Sequence, residues 1–282
     1  MERIPIKIAY LAADDLHLRV DLGACRFEAR PGNLEGWVAG TCHDPTGRRA
    51  PIIDTGEQLA TITEAESSLK RIPAAVGPLP RYASLKHISA AVGPLPRYEL
   101  VFGKARPFTL TIETGTSEFD LDLGGVPLKA LTVKQGAGRF NLDFSAPNPE
   151  PMSLLDFSSG AAGIELENLA NANFSQMHLT GGAAGYELDF GGRLSRDAEV
   201  TIETSLSGVE IAVPSTTAAK IVAETTVGSV DEVGGFTNRE GAFLTEAGMA
   251  GTQPLLTVHA GVRMGALQIT AHADATRGDH NH

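Results

Sequence analysis

The sequence is poor in the residues that build metal and catalytic centres. It has two cysteines, Cys25 and Cys42, and no CxxC, which argues against a zinc site. Its histidines, His17, His43, His87, His178, His259, His272, His280 and His282, form neither HxxxH nor HExxH, so the zinc-hydrolase pattern is missing. His280 and His282, beside Asp279, could hold a metal weakly; a flexible tail without apolar period is the reading taken. There is no GxSxG for a nucleophile elbow. Glycine-rich strings such as GGAAG lack the GK[ST] and the following helix of a phosphate loop. Long apolar runs are missing as well, which excludes a membrane-spanning helix. The opening MERIPIKIAYLAADDLHLRV has no signal-type apolar core, so the chain is expected to be cytoplasmic or the mature part of an exported protein.

Basic residues are outnumbered, 23 Lys and Arg against 34 Asp and Glu, for a net charge of −11. That balance argues against a nucleic-acid groove or an anionic-membrane binder and leaves cationic partners open. Apolar residues make up 42% of the 282 and charged residues 20%, a mixture that can bury a core and does not suit disorder. Glycine (31) and proline (16) are frequent enough to favour a turn-rich β protein over a helical bundle.

What is abundant is repetition. FTLTIETGTSEFDLDL from Phe108, ALTVKQGAGRFNLDF from Ala130, LLDFSSGAAGIELEN from Leu154, QMHLTGGAAGYELDF from Gln176 and EVTIETSLSGVEIAV from Glu199 share one pattern. Each is an alternating strand, a Gly/Ala/Ser turn and a second alternating strand; KIVAETTVGSVDEV from Lys220 is a worn sixth copy. Phe119, Phe140, Ile164, Tyr186, Val209 and Val230 hold the same place after the turn, at steps of 21, 24, 22, 23 and 21 residues. A period of that length means a coil whose rungs stack. The reading is an all-β, single-domain β-solenoid of seven or eight rungs, built from two-strand repeats of about 22 residues with Gly/Ala corners. It spans residues 1–271, with 272–282 as a flexible tail.

Before the repeats, LHLRVDLGACRFEARPG from Leu16 aligns with them, so the coil starts at once. WVAGTCHD and APIIDTGEQLATITEAE read as edge or hairpin strands. SLKRIPAAVGPLPRYA (68–83) is followed by SLKHISAAVGPLPRYE (84–99), a tandem duplication. Its prolines lack ladder donors, so the 68–99 insert is expected as a protruding loop or an edge; PLPR as a polyproline docking motif is the sharper alternative. Residues 234–254 break the rhythm and are expected to cap the stack, with LLTVHAGVRMGALQIT from Leu255 as the last rung. A hairpin turning at Pro31–Leu34 would set Cys25 nearly opposite Cys42, a geometry that permits a disulfide; two buried thiols are the alternative. Trp37, the one tryptophan, is expected in the core or an end cap, with Tyr82 and Tyr98 as a contact-surface alternative.

Stacked rungs bring acids into columns about 4.8 Å apart. One runs Asp120, Asn141, Glu165, Glu187, Glu210 and the other Asp122, Asp143, Glu167, Asp189. Asp120, Asp122, Asp143, Glu165, Glu167, Glu187 and Asp189 are thus candidates for a cation-binding ladder, Ca²⁺ first, or for a basic partner. A solvated face that keeps the fold soluble is the alternative, since no DxDxDG loop converges oxygens on one point. No catalytic and no cofactor-binding residue is assigned.

The first-rung segment LHLRVDLGACRFEARPGNLEGWVAG, followed by repeated GAxxxxLDF units, resembles the toast-rack domain group of bacterial cell-envelope proteins, which includes adhesins and the extracytoplasmic part of cell-wall-stress response proteins. The resemblance implies a non-enzymatic β-solenoid of the cell envelope or exterior. It implies a structural or interaction role, with a protein partner or self-association through the solenoid ends. A sensor or ligand-binding module of envelope-stress signalling is the second reading, and a polysaccharide-acting β-helix enzyme the third. The missing signal segment and the 16-residue duplication depart from the group's pattern.

Overall fold

In the computed structural model, residues 2–47, 50–64 and 94–273 are described. The first half of each repeat and the second are one continuous bent strand, not two. The long strands are β2 (Leu16–Gly32), β7 (Phe108–Asp122), β8 (Leu128–Asp143), β9 (Met152–Glu167), β10 (Phe174–Asp189), β11 (Ala198–Pro214), β12 (Ala219–Val233) and β15 (Leu256–His272). They stack in parallel and in register. Shorter strands cover the ends: β1 (Glu2–Ile8), β3 (Val38–Asp44), β4 (Pro51–Thr55), β5 (Leu59–Glu64) and β6 (Arg97–Gly103) at one, β13 (Thr237–Arg239), β14 (Ala242–Leu244) and the helical turn α1 (Glu246–Met249) at the other. The sheet order is β1-β3-β6-β2-β7-β8-β9-β10-β11-β15-β12-β14-β13, with β5 on β2 and β4 on β5.

Alternation in the sequence becomes inward and outward rows. Phe27, Phe119, Phe140, Ile164, Tyr186, Val209, Leu267 and Val230 stand in one continuous register through eight strands. The Phe27, Phe119 and Phe140 rings follow at centroid spacings of 5.0 Å, close to the strand spacing that stacking requires. A second inward row, Ala29, Leu121, Leu142, Leu166, Leu188, Ile211 and Ile269, ends at Glu232 on β12. The apolar row therefore stops with a carboxylate at the terminal rung.

The corners explain the small residues. A Cβ on Gly160 would stand 2.5 Å from the Gly136 carbonyl, and one on Gly136 would stand 2.6 Å from that of Gly115. Successive rungs thus pack backbone on backbone at the bend, where only glycine leaves room. Beyond the strands, buried Asn148 donates to the carbonyls of Leu128 and Ala172 at 2.9 and 3.1 Å, and buried Asn171 donates to Phe144 at 2.9 Å. These amides satisfy the connecting backbone between rungs.

Three local expectations are corrected. First, β15 is not the last rung: it lies between β11 and β12, in register with both. The weak apolar content of β12 suits an end position, whereas β15 is apolar enough to be covered on both sides. Second, the end of the insert is not outside the core, because Arg97–Glu99 open β6, which pairs with β2 and β3, and Tyr98 is wholly buried. The rest of the duplication up to residue 93, with Tyr82 and the first PLPR, lies outside the described residues, as does the tail from 274. Third, β2 and β3 do not form a hairpin. The strand β6 runs between them, Cys42 is in register with Tyr98 and Cys25 with Ser117, and both cysteines are buried thiols without a disulfide. Burial pushes the Cys42 thiol up to about 11, so it stays protonated and unreactive at neutral pH. Trp37 is fully buried and packs edge-on to Phe108 at 5.4 Å, a core position at the first-rung end.

Candidate functional site

The outward side of the second half-strands carries the acids, and the register sets them side by side. Glu28, Asp120, Asn141, Glu165, Glu187, Glu210, Gln268 and Asp231 form one row; Asp122, Asp143 and Glu167 form the next. The two rows differ in how their carboxylates are used.

The second row is largely tied into turns. Asp122 accepts from the Gly124 amide at 2.8 Å and from the Ser145 hydroxyl at 2.7 Å. Asp143 accepts from the Asn168 amide at 2.7 Å, and Asp189 from the Gly191 amide at 3.0 Å with the His272 ring 3.4 Å away. Asp122 and Asp189 cap the turns after their own strands, and Asp122 and Asp143 also hold the turn of the next rung.

The first row changes character along the stack. At the early rungs the chain supplies its own cations: Arg30 lies 3.1 Å from Asp120 and Arg97 3.0 Å from both Glu28 and Glu99, while in the neighbouring row two residues earlier Arg26 lies 2.8 Å from Glu118. On β9, β10 and β11, Glu165, Glu187 and Glu210 form no ion pair among the described residues. Arginines therefore neutralise one end of the column, while three neighbouring glutamates have no ion-pair partner among the described residues. Like charges one strand apart repel, and the repulsion is relieved by salt or by a cationic ligand.

Where the neutralised and bare segments meet, a shallow cavity of about 260 Å³ is lined by Arg30, Asp120, Asn141, Asp143, Glu165 and Glu167. The Asn141 side-chain oxygen there is buried and has no hydrogen-bond partner among the described residues. The Glu167 carboxyl is held above the usual carboxylate range by burial first, then by Asp143, Glu165 and Asp189. The folded chain thus holds the Glu167 proton more tightly than the unfolded chain, and ionised Glu167 costs stability at neutral pH. The cost is relieved as pH falls through the raised folded value. Glu167→Gln is expected to raise the unfolding midpoint at pH 7, an advantage that disappears below about pH 4.5, where both states carry the proton; thermal melts across that range check it.

The seven candidate acids are brought onto one face but not onto one point. Among the described residues no group of three or more His, Cys, Asp or Glu is placed to hold a metal ion. What sequence reading missed are the arginines that complete the face and the orphan Asn141 oxygen. Arg26 and Arg30 do alternate with the acids of neighbouring rungs, but only the register between β2 and β7 shows which acid each one meets. A larger cavity of about 460 Å³ lies at the corner of β10, β11, β15 and β12, where Glu203 and Glu224 flank Gly261 beside Arg263.

The sequence over residues 2–167 matches the family described as the N-terminal domain of toast_rack, DUF2154. Among solved structures, one similar in fold is a candidate cell adhesion protein from Clostridium sporogenes ATCC 15579. It is 16% identical, with a TM-score of 0.52, over 96% of this chain and 99% of that one. A candidate adhesin from Bacteroides fragilis NCTC 9343 aligns over 96% of each chain at 5% identity and a TM-score of 0.39, too low to argue from. No curated protein matches the sequence.

Proposed function

Because the chain belongs to the toast-rack family through the N-terminal domain matched over residues 2–167, we propose that it is a non-enzymatic interaction protein of the cell envelope or surface that presents its acidic strand face to a basic partner. The adhesion described for the Clostridium protein is in keeping with that role. One observation carries the reading: among the described residues Glu165, Glu187 and Glu210 form no ion pair, in a column whose early rungs are neutralised by Arg30 and Arg97. The arginine pairs support reading the remaining glutamates as receivers of guanidinium or ammonium groups at strand spacing. A basic extended segment laid across the rungs supplies them, and its on-rate gains most from the unscreened field.

The test is titration of the chain with a lysine-rich peptide at low and high salt, with Ca²⁺ as a separate arm. Binding is expected to weaken at least about tenfold between low and high ionic strength, and by a similar factor in the triple variant Glu165→Gln, Glu187→Gln, Glu210→Gln. Peptide binding that is absent, or indifferent to both changes, removes the acidic face from the function. Saturable Ca²⁺ binding that displaces the peptide turns the face into a cation ladder instead.

A further inference from the structure

A row of outward positions on the first half-strands, just before the corner, changes along the stack. At the early rungs it holds Asp21, Glu113 and Lys134, and the chain neutralises it. Arg19 lies 2.6 Å from Glu113 and 3.6 Å from Asp21, and Lys134 lies 3.2 Å from Glu113. On β11, β15 and β12 the same row reads Glu203, Gly261, Glu224. Neither glutamate forms an ion pair among the described residues. Two exposed carboxylates thus stand two strand spacings apart, about 10 Å between backbones, on either side of a position without a side chain.

Backbone packing does not demand that glycine. A Cβ on Gly261 would have one neighbour within 4 Å, the Ile202 carbonyl at 3.7 Å, and its φ lies outside the left-handed region. That is an ordinary contact, unlike the close approaches at Gly136 and Gly160. What glycine contributes on β15 is room, and the room is the cavity of about 460 Å³ at this corner. The volume is in the range of small-molecule sites. Arg263, two residues beyond Gly261 on the same strand, lines the cavity too; it is exposed and has no ion pair among the described residues. The hydroxyls of Thr180 and Thr225 complete the wall.

We propose that this cavity binds a free basic amino acid, with its two ammonium groups taken by Glu203 and Glu224 and its carboxylate by Arg263 on the strand between them. Charge and spacing decide the class. Two negative groups and one positive, none of them spent within the chain, are complemented by two cations and one anion. A single ammonium reaches one glutamate only, and a plain diamine leaves Arg263 facing a cation. A flexible chain with an ammonium group towards each end spans the gap across Gly261, and a carboxylate beside one of them meets the guanidinium fork. No aromatic side chain lines the cavity, so a sugar or nucleobase finds no face to stack on. Because the charges are exposed, each pair contributes little, and binding falls in the millimolar range and weakens with salt.

NMR titration of the full chain with L-lysine at low salt is expected to saturate in that range. Cadaverine, which lacks the carboxylate, and ε-aminocaproate, which lacks the α-ammonium, are each expected to bind about threefold more weakly. Arg263→Gln is expected to bring lysine down to the level of cadaverine, and Glu203→Gln and Glu224→Gln each to weaken lysine about threefold. Gly261→Leu fills the gap and is expected to abolish binding, with circular dichroism unchanged because the strand has space for the side chain. Should that variant fail to fold, the two glutamine variants carry the test. No saturable shift with lysine, equal binding of the three compounds, or lysine binding indifferent to the substitutions overturns the proposal. The Glu165/Glu187/Glu210 variant keeps its lysine binding, so this cavity and the acidic face fail separately.

Discussion

Phe140→Ala is expected to cost about 3–5 kcal/mol, the largest loss from any single truncation in the stack. The ring is fully buried, 5.0 Å from Phe119 in the rung before and 4.7 Å edge-on from Phe157. Truncation opens a void between two rungs that their register keeps from collapsing, because moving one strand inward would break ladder bonds to both neighbours. Urea unfolding of wild type and variant measures the loss, with Phe140→Leu as the milder control at about a third of it. An effect below about 1 kcal/mol would mean that the interior row is not the continuous support described.

Gly138→Ala is expected to cost about 2–5 kcal/mol, combining backbone strain with overpacking at the corner. Gly138 has φ +125°, and a Cβ there would run into the Ser117 carbonyl of the rung before. Neither neighbour can yield, because the obstacle is backbone. Gly163→Ala is the matched control, since that corner glycine has nothing within 4 Å of its built Cβ and its φ is not positive. It is expected to stay within about 0.5 kcal/mol of wild type. Equal costs at the two positions would mean that glycine serves general flexibility at the bend, not close approach.

The coil was legible because each rung repeats the same local compromise. Phe119, Phe140, Ile164 and Tyr186 recur at steps set by the rung, and alternation about them fixes which side is buried. Order along the stack was not legible, because it depends on which long strand has two apolar neighbours. The sequence places β12 before β15, but Glu232 on β12 could not be covered on both sides and Ile269 on β15 could. The cysteine hairpin failed for a related reason: Tyr98 and its strand come from the far side of a long insertion, and no local signal announces a third strand between two neighbours. Of the acidic face, the columns were readable by counting. The distinction between Asp122, held by Ser145, and Glu187, without an ion pair among the described residues, needed the loops.

The insertion of β15 between β11 and β12 also bears on how the chain is made. Rungs β7 to β11 can each settle on a predecessor as they leave the ribosome, but β12 emerges before the strand it rests on. Until residues 256–272 follow, its seat is vacant or must be taken up provisionally against β11, and the final strand then has to intercalate. Completion of this end therefore waits for a strand made after the rung it supports. A nascent chain stalled short of Leu256 leaves the β11 edge uncovered, which makes that length the point of greatest aggregation hazard during synthesis.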